Sequence, residues 1–193
     1  MEQKTAEIST EKILEICIDI DFDNYMNFKE RKSLIDQVRH CYSYNRKSEK
    51  PCSLIVTGCT EKSWAMLKNR NAKQWKTKYI ELYKQPIEEI LDIENSVYLT
   101  ADAEEIIQEF DIGTTYIIGG IVDKNRHKNL CLDKAKKLGM RVARLPILEN
   151  VDLCTSTVLT VNQVFGILIE QNKTESWDFL KEQLIPERRR DDQ

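Results

Sequence analysis

Residues 116–128 read YIIGGIVDKNRHK, and this stretch carries the most specific pattern in the sequence. Its first three residues are aromatic or β-branched, which favours a buried β-strand. Gly119 and Gly120 follow where that strand should end, and glycine permits a sharp turn or a close approach of the backbone to a ligand. Asp123 comes next and is followed by a cluster of basic side chains. This composition suits a small ligand on one side and a polyanion on the other, although a solvated loop between a strand and a helix has the same composition.

Strand and helix patterns alternate on both sides of this stretch. Short apolar and β-branched runs predict strands at residues 13–20, 54–56, 79–83, 96–100, 116–118 and 141–145. Apolar residues at helical spacing predict helices at residues 28–44, 60–67, 86–91, 103–110, 129–138, 158–171 and 176–184. Residues 69–78 and 147–157 are predicted to be loops. The alternation indicates an α/β domain with a mainly parallel sheet flanked by helices.

In such a sheet, ligands bind beyond the carboxyl ends of the strands. Three predicted strand ends carry residues suited to binding, at 99–102, 119–123 and 145–147. We expect these three segments to converge if their strands are neighbours. Asp102 is also predicted to cap the helix at 103–110, because its side chain can accept a hydrogen bond from a free helix amide.

The composition is that of an ordinary globular protein. The chain has 193 residues, 41% of them hydrophobic, which is enough for one domain with a sizeable core. A net charge of −3 argues against a chain that is basic over its whole surface, but it allows a local basic face. The six cysteines form no C-x-x-C motif and there are only two histidines, so we expect no metal site and reduced thiols, as in the cytoplasm or nucleus. We find no secretory leader in the sequence and no apolar run long enough for a bilayer.

The common nucleotide and hydrolase motifs are absent. Neither G-x-G-x-x-G after the first strand nor G-x-x-x-x-G-K-[ST] occurs, which argues against a Rossmann-type or P-loop phosphate site. G-x-S-x-G is absent as well, and both histidines stand in basic surroundings. His127 could act as a general base, but we favour a solvated or phosphate-facing histidine.

Several segments together resemble one family. They are VYLTAD at 97–102, YIIGGIVDKNRHK at 116–128, LCLDKAKKLGM at 130–140, RLPI at 144–147 and VLTVNQVF at 158–165. QVRHCYSYNRK at 37–47 and the C-terminal pattern from Trp177 to LIPERR also match. In order and spacing these segments are similar to the SPOUT-class tRNA methyltransferases that modify N1 of the purine at position 9. The similarity runs from about residue 14 to residue 190, and GGIVDKNRHK is its most specific part.

The resemblance implies a deep C-terminal trefoil knot and a bent S-adenosylmethionine bound beside it, with S-adenosylhomocysteine (SAH) as the product. The glycines would let the backbone approach this cofactor, and apolar side chains would enclose its adenine. Several of these apolar side chains would also be core residues. The cofactor-binding residues that the resemblance implies are Leu99, Thr100, Gly119, Gly120, Ile121, Asp123, Cys131, Leu145, Pro146, Leu159 and Thr160.

Asp123 is the residue that we expect to take part in the reaction. N1 of guanine carries a proton at neutral pH, and a carboxylate could accept that proton or orient the base. The sulfonium leaves as a neutral thioether, so the cofactor needs no metal. Asp19 and Gln37 match family positions at the mouth of the site and could hold the guanine edge, although an aspartate at a strand end and a glutamine on a helix are ordinary features.

Binding of tRNA requires cations, because the phosphates dominate affinity. Family members carry a basic N-terminal extension that this sequence does not contain, so we expect weak tRNA binding by this chain. The predicted tRNA-binding residues besides Asp19 and Gln37 are Arg39, Arg46, Lys47, Lys124, Asn125, Arg126 and Lys128.

The expected protein is a monomeric N1-methyltransferase of guanine 9 in tRNA. We predict a single SPOUT methyltransferase domain at residues 12–185, a flexible N-terminus at 1–11 and a charged tail at 186–193. One alternative is methylation of N1 of adenine 9, alone or as well. Adenine N1 has no proton to lose, so Asp123 would matter less for that reaction. The other alternative is a non-catalytic tRNA-binding scaffold of the same fold.

Overall fold

Among the residues that the structure describes, six strands form one sheet at the centre of the fold. The structure is a computed structural model that describes residues 13–69, 75, 78–111, 113–123, 126–150 and 159–180. The strands are β1 (Glu15–Asp19), β2 (Ser53–Thr57), β3 (Glu81–Leu82), β4 (Ser96–Leu99), β5 (Thr115–Gly119) and β6 (Arg141–Ala143). They lie in the order β3-β2-β1-β5-β4-β6, and each of these neighbouring pairs is parallel. The predicted α/β class and parallel sheet are confirmed.

Helices flank this sheet. They are α1 (Phe28–Lys47), α2 (Glu61–Asn69), α3 (Ile87–Ile90), α4 (Leu130–Lys137), α5 (Ile147–Asn150) and α6 (Val161–Thr174). A short 3-10 helix, Asp23–Tyr25, precedes α1. α1 begins at a capping box: Asn27 Oδ1 accepts from the Glu30 amide at 3.0 Å, and Glu30 Oε2 accepts from the Asn27 amide at 2.9 Å. None of the described helices is both long and apolar enough to cross a membrane.

Successive side chains of each strand point to opposite faces of the sheet. On one face, Ile18 and Ile118 belong to a core that includes Val38 of α1 and Phe165 of α6. The core on the opposite face joins strand residues to α3 and α4 through Cys17, Ile55, Tyr98, Ile117, Ile87 and Ala135. Because both faces are covered, the strands carry apolar side chains on both sides, which explains the short apolar runs from which they were predicted.

The helix predicted at residues 103–110 is absent, and that prediction was wrong. The Ile107 amide donates to the Arg144 carbonyl at 3.0 Å, and the Arg144 amide donates to the Glu105 carbonyl at 2.8 Å. Ile106 and Arg144 form an isolated parallel bridge. These long-range bonds use backbone groups that a helix would have paired internally, and local sequence gives no sign of such a distant partner.

Other elements differ from prediction mainly at their ends. α6 begins at Val161, and Ile147–Asn150 form a helix where a loop was predicted. The last predicted helix is not formed at residues 176–179, which adopt bends and a turn. The described residues do not include 70–74 and 76–77 of the first predicted loop, 151–157 of the second, 181–184 of the last predicted helix, or either predicted domain end. The trefoil knot stays a prediction.

Candidate functional site

A cavity of about 310 Å³ lies at the carboxyl ends of β4 and β5 and beside the segment that follows β6. This is the location expected for a ligand in a parallel sheet. The three strand ends that were predicted to converge all contribute to its wall. The predicted cofactor residues that line it are Leu99, Thr100, Gly119, Ile121, Asp123, Cys131, Leu145 and Leu159.

The two adjacent glycines serve different neighbours. Gly119 lines the cavity, and a Cβ atom there would overlap the sulfur of Cys131. Gly120 does not line the cavity: a Cβ atom there would lie 2.6 Å from Ile20 Cγ2 and 2.7 Å from the Asp19 carbonyl oxygen. The Gly120 amide also donates to that carbonyl at 2.7 Å. Gly120 therefore allows the chain to pack against the end of β1, a different close approach from the predicted one.

Pro146 and Thr160 are also absent from the cavity wall. Pro146 is buried, and its carbonyl accepts a hydrogen bond from Asn150 Nδ2 at 2.8 Å. Thr160 is exposed at the start of α6, where its amide and its hydroxyl both donate to Gln163 Oε1 at 2.9 Å. These two residues shape the ends of α5 and α6 next to the cavity.

Asp123 is buried in the cavity wall, with only 7% of its surface exposed. Its Oδ2 accepts from the His127 amide at 2.9 Å and lies 3.0 Å from His127 Nδ1. His127 lines the same cavity and keeps 38% of its side chain exposed. The sequence shows both residues but cannot show that they are paired.

Arg126 and His127 contact the first turn of α1 and the 3-10 helix just before it. Arg126 forms two hydrogen bonds with Glu30, at 2.7 and 3.0 Å, and donates to the Tyr25 carbonyl at 3.3 Å. This contact lowers the pKa of Glu30, because the guanidinium favours the ionised carboxylate. The Tyr25 ring contacts the His127 ring edge-on, with centroids 5.1 Å apart. Arg126, a predicted tRNA ligand, thus already holds a carboxylate.

Asp19 lies away from the cavity wall, in a buried polar cluster under α4. Tyr98 Oη donates to Asp19 Oδ2 at 2.8 Å, and Lys134 Nζ lies 2.8 Å from the same oxygen. Burial raises the pKa of Asp19. Burial alone would lower the pKa of Lys134, but Asp19 and Asp21 outweigh it and the pKa is raised. The carboxylate predicted to hold guanine is therefore occupied by protein groups.

Gln37 and Arg39 contact neighbouring helices. Gln37 Oε1 accepts from the Val161 amide at 2.9 Å, which satisfies a free donor at the start of α6. Arg39 pairs with Asp36 at 2.6 Å and donates to the Met66 carbonyl at 2.8 Å, so it ties α1 to α2. Both side chains have structural partners in this fold, as Asp19 does.

Three other predicted phosphate ligands are exposed. Arg46 and Lys47 lie in the last turn of α1, and Arg46 stacks over the Tyr42 ring at 5.8 Å. Lys128 is exposed and lines the cavity. Within the described ranges, no carboxylate lies within 4.0 Å of the Lys47 or Lys128 ammonium group. Lys124 and Asn125 lie outside the described residues.

The cavity wall also includes residues outside the predicted set of cofactor-binding residues, although Ala101, Asp102 and Ile147 lie in strand-end segments that were predicted to converge. Arg144 forms two hydrogen bonds with Glu149, at 2.9 and 2.6 Å, and Asp102 accepts from the Asn129 amide at 3.3 Å. Because Arg144 and Asp102 lie at or next to predicted strand ends, the sequence could have indicated that they line the cavity. The other lining residues outside the predicted set are Ala101, Ile118, His127, Leu130, Ile147, Leu148, Val161 and Val164.

Most of the lining residues are apolar, and six polar or charged side chains among them could orient a ligand. Burial raises the pKa of the Cys131 thiol to about 12, so this sulfur is a neutral packing group near pH 7. Among the residues that the structure describes, no group of three or more His, Cys, Asp or Glu side chains could hold a metal ion. The cavity is therefore suited to a small organic molecule. The Asp123 carboxylate in its wall could accept a proton from a ligand or orient it.

A sequence model of the family tRNA (guanine(9)-N(1))-methyltransferase TRM10/TRM10A matches residues 1–190. The tRNA (guanine(9)-N1)-methyltransferase of Eremothecium gossypii is 39% identical over 180 residues, which cover 91% of this chain and 59% of that protein. The chain thus spans less than two thirds of the length of this curated relative.

Two solved structures are also similar to the chain. The crystal structure of spTrm10(74) aligns with a TM-score of 0.82 and 37% identity, over 90% of this chain and 94% of the other. The crystal structure of a full-length spTrm10–SAH complex aligns with a TM-score of 0.78 and 36% identity, over 92% of this chain and 99% of the other.

Proposed function

We propose that this chain, which belongs to the tRNA (guanine(9)-N(1))-methyltransferase TRM10/TRM10A family, transfers a methyl group from S-adenosylmethionine to N1 of guanine 9 in tRNA. The observation that carries the proposal is the position of Asp123. It is a buried carboxylate in the wall of a cavity that is lined mostly by apolar residues and lies at the carboxyl ends of parallel strands.

The cofactor would occupy this cavity. Leu99, Leu145 and Leu159 offer the apolar surface that an adenine ring needs, and the absent side chain of Gly119 leaves room for close backbone contact. Two findings support this placement: these residues line one continuous cavity, and SAH is bound in the spTrm10 complex, which is 36% identical to this chain. Gly120, Pro146 and Thr160 would support the cavity from behind.

The reaction moves one methyl group and one proton. The bond between N1 and the methyl carbon forms while the bond between that carbon and sulfur breaks, so the sulfonium becomes the neutral thioether of SAH. The N1 proton passes to the Asp123 carboxylate, and the base then carries no added charge. General-base assistance of this kind contributes about a hundred- to ten-thousandfold to a rate.

The tRNA phosphates would contact exposed cations on two parts of the surface, one beside the cavity and one at the amino edge of the sheet, where Asn45 of α1 bonds to Cys52 just before β2. Lys128 at the cavity wall and Arg46 and Lys47 at the end of α1 are the described candidates for phosphate contacts. Arg126 could join them only by exchanging Glu30 for a phosphate. We further propose that the protein is a monomer. We also propose that it acts in the cytoplasm or nucleus, because these compartments are reducing and the described cysteines Cys17, Cys41, Cys52, Cys59 and Cys131 are free thiols.

The test measures transfer from labelled S-adenosylmethionine to unmodified tRNA transcripts that carry G9, A9 or C9. Asp123→Asn keeps the size of the side chain and removes its basicity, so we expect a loss of at least a hundredfold on G9. SAH affinity, measured by calorimetry in the same variant, should stay within about threefold of wild type because Asp123 is one of many lining residues.

Each other outcome points to a different function. Label on A9 that survives Asp123→Asn would indicate adenine methylation, for which no proton must leave. SAH binding without transfer to any transcript would contradict the proposed activity of this chain. Absence of both transfer and SAH binding would favour a non-catalytic tRNA-binding scaffold.

A further inference from the structure

His127 contacts the carboxylate that we assign to the reaction, through two different groups. Its amide donates to Asp123 Oδ2 at 2.9 Å, and its ring Nδ1 lies 3.0 Å from the same oxygen. Because a carboxylate oxygen can only accept, the ring contact is a hydrogen bond when Nδ1 carries the proton. Two donors converging on one oxygen fix the rotation of the carboxyl group.

The histidine ring is itself held in place. The Tyr25 ring meets it at 5.1 Å between centroids and 73° between planes, which is a favourable edge-to-face geometry. Arg126, next to His127 in sequence, bonds to Glu30 of α1 and to the Tyr25 carbonyl. The region before and at the start of α1 thus anchors both the backbone and the ring of His127.

We propose that His127 is the positioning residue for Asp123, and that it acts through Nδ1. It holds the carboxylate in one orientation at the cavity wall, so that Asp123 can receive the guanine N1 proton. This role rests on the proposed function. A misplacement of a reacting group by about 1 Å can cost on the order of a hundredfold in rate, which is why a positioning contact matters here.

A different role would use the other ring nitrogen. His127 keeps 38% of its side chain exposed and lines the cavity, so Nε2 could instead contact a tRNA phosphate. The two roles can be separated by substitution. The amide of asparagine lies where Nδ1 of histidine would be, whereas the longer glutamine places its amide near the position of Nε2.

The experiment therefore compares kcat of His127→Asn with kcat of His127→Gln, with saturating S-adenosylmethionine and G9 transcript. We expect His127→Asn to stay within about threefold of wild type and His127→Gln to fall at least tenfold. The KM for tRNA and the SAH dissociation constant should change by less than about twofold in both variants. The reverse order, with His127→Gln the more active variant, would overturn the proposal.

A double variant supplies the second measurement. If His127 acts only through Asp123, adding His127→Gln to Asp123→Asn should not lower kcat further. Losses that multiply in the double variant would show a separate role for His127 and would contradict the proposal. Because Tyr25 supports the ring, Tyr25→Phe should retain wild-type kcat, whereas Tyr25→Ala should lose about threefold or more.

Failure of this inference differs from failure of the proposed function. If wild type transfers no label to G9, the proposed function and the role of His127 fail together. If wild type and Tyr25→Phe transfer label normally and His127→Gln does as well, only the role of His127 is refuted.

Discussion

Gly119 shows how one absent side chain shapes the cavity wall. A Cβ atom at this position would overlap the sulfur of Cys131, while its next neighbour, Tyr98 Oη, lies at an ordinary 3.5 Å. We expect Gly119→Ala to lower the free energy of unfolding by about 1–3 kcal/mol, because the sulfur must move in a packed site. In Gly119→Ala/Cys131→Ala the sulfur is gone, so this double variant should be more stable than Gly119→Ala. Urea unfolding measures both differences.

Gly166 provides the matched control for this substitution. It lies in α6, and a Cβ atom there meets nothing within 4 Å. Gly166→Ala should therefore raise stability by roughly 0.5–1 kcal/mol through helix propensity alone. If the double variant is no more stable than Gly119→Ala, the Cys131 sulfur is not the atom that makes glycine necessary at residue 119.

At the scale of elements, one side chain joins two helices of the same core. Gln37 of α1 accepts from the Val161 amide in the first turn of α6. Gln37→Leu would leave this amide without its partner, and we expect a loss of about 1 kcal/mol in the free energy of unfolding. Gln37→Glu keeps an acceptor and adds a negative charge at a helix N-terminus, so its stability should match or exceed that of wild type.

The Gln37 variants also test the guanine contact that was predicted from the sequence. A structural role predicts that stability falls in Gln37→Leu while the KM for tRNA does not change. Wild-type stability combined with a raised KM for tRNA would instead support a direct contact with guanine. Thermal unfolding and initial rates on the same protein samples decide between the two.

At the scale of the whole molecule, the distribution of ion pairs determines which basic side chains can contact RNA phosphates. Arg39 is paired with Asp36, whereas Lys128 is exposed at the cavity. Each phosphate that a protein cation neutralises contributes about −0.9 to the slope of log affinity against log salt concentration. Lys128→Gln should therefore make the slope for tRNA shallower by about 0.9, and Arg39→Gln should leave it unchanged.

Fluorescence anisotropy with labelled tRNA between about 50 and 200 mM KCl provides these slopes. Lys136→Gln serves as a control, because this exposed lysine on α4 is not among the cavity-lining residues. A change of slope in Arg39→Gln equal to that in Lys128→Gln would mean that RNA displaces Asp36, and the sequence-based assignment of Arg39 would then stand.

Local sequence was sufficient for the strands and for the location of the cavity. Runs such as Tyr116–Ile118 need no distant information to indicate a buried strand, and the residues after them must lie at the carboxyl edge of the sheet. The helix expected after Asp102 failed because Arg144 competes for the same backbone groups. That competition depends on the three-dimensional neighbourhood.

The sequence could not identify the partners of side chains such as Arg126 and Gln37, because the partners are distant in the chain and are brought close only by the fold. Glu30 is 96 residues from Arg126, and Gln37 is 124 residues from Val161. The basic side chains were assigned to tRNA because phosphates require cations, and Gln37 was assigned because it matches a family position. The fold supplies protein partners for several of them and leaves Lys128 exposed at the cavity.

Glu30 belongs to two structures at once. One of its oxygens completes the capping box of α1, and both oxygens hold Arg126 beside the segment that contains Asp123. A mutation at this single position would therefore affect both the beginning of α1 and the position of Arg126, close to Asp123, the carboxylate that we propose as the base in the reaction. Such pleiotropy narrows the range of substitutions that natural selection can accept, because a residue that only caps α1 would lose the contact with Arg126, and the reverse.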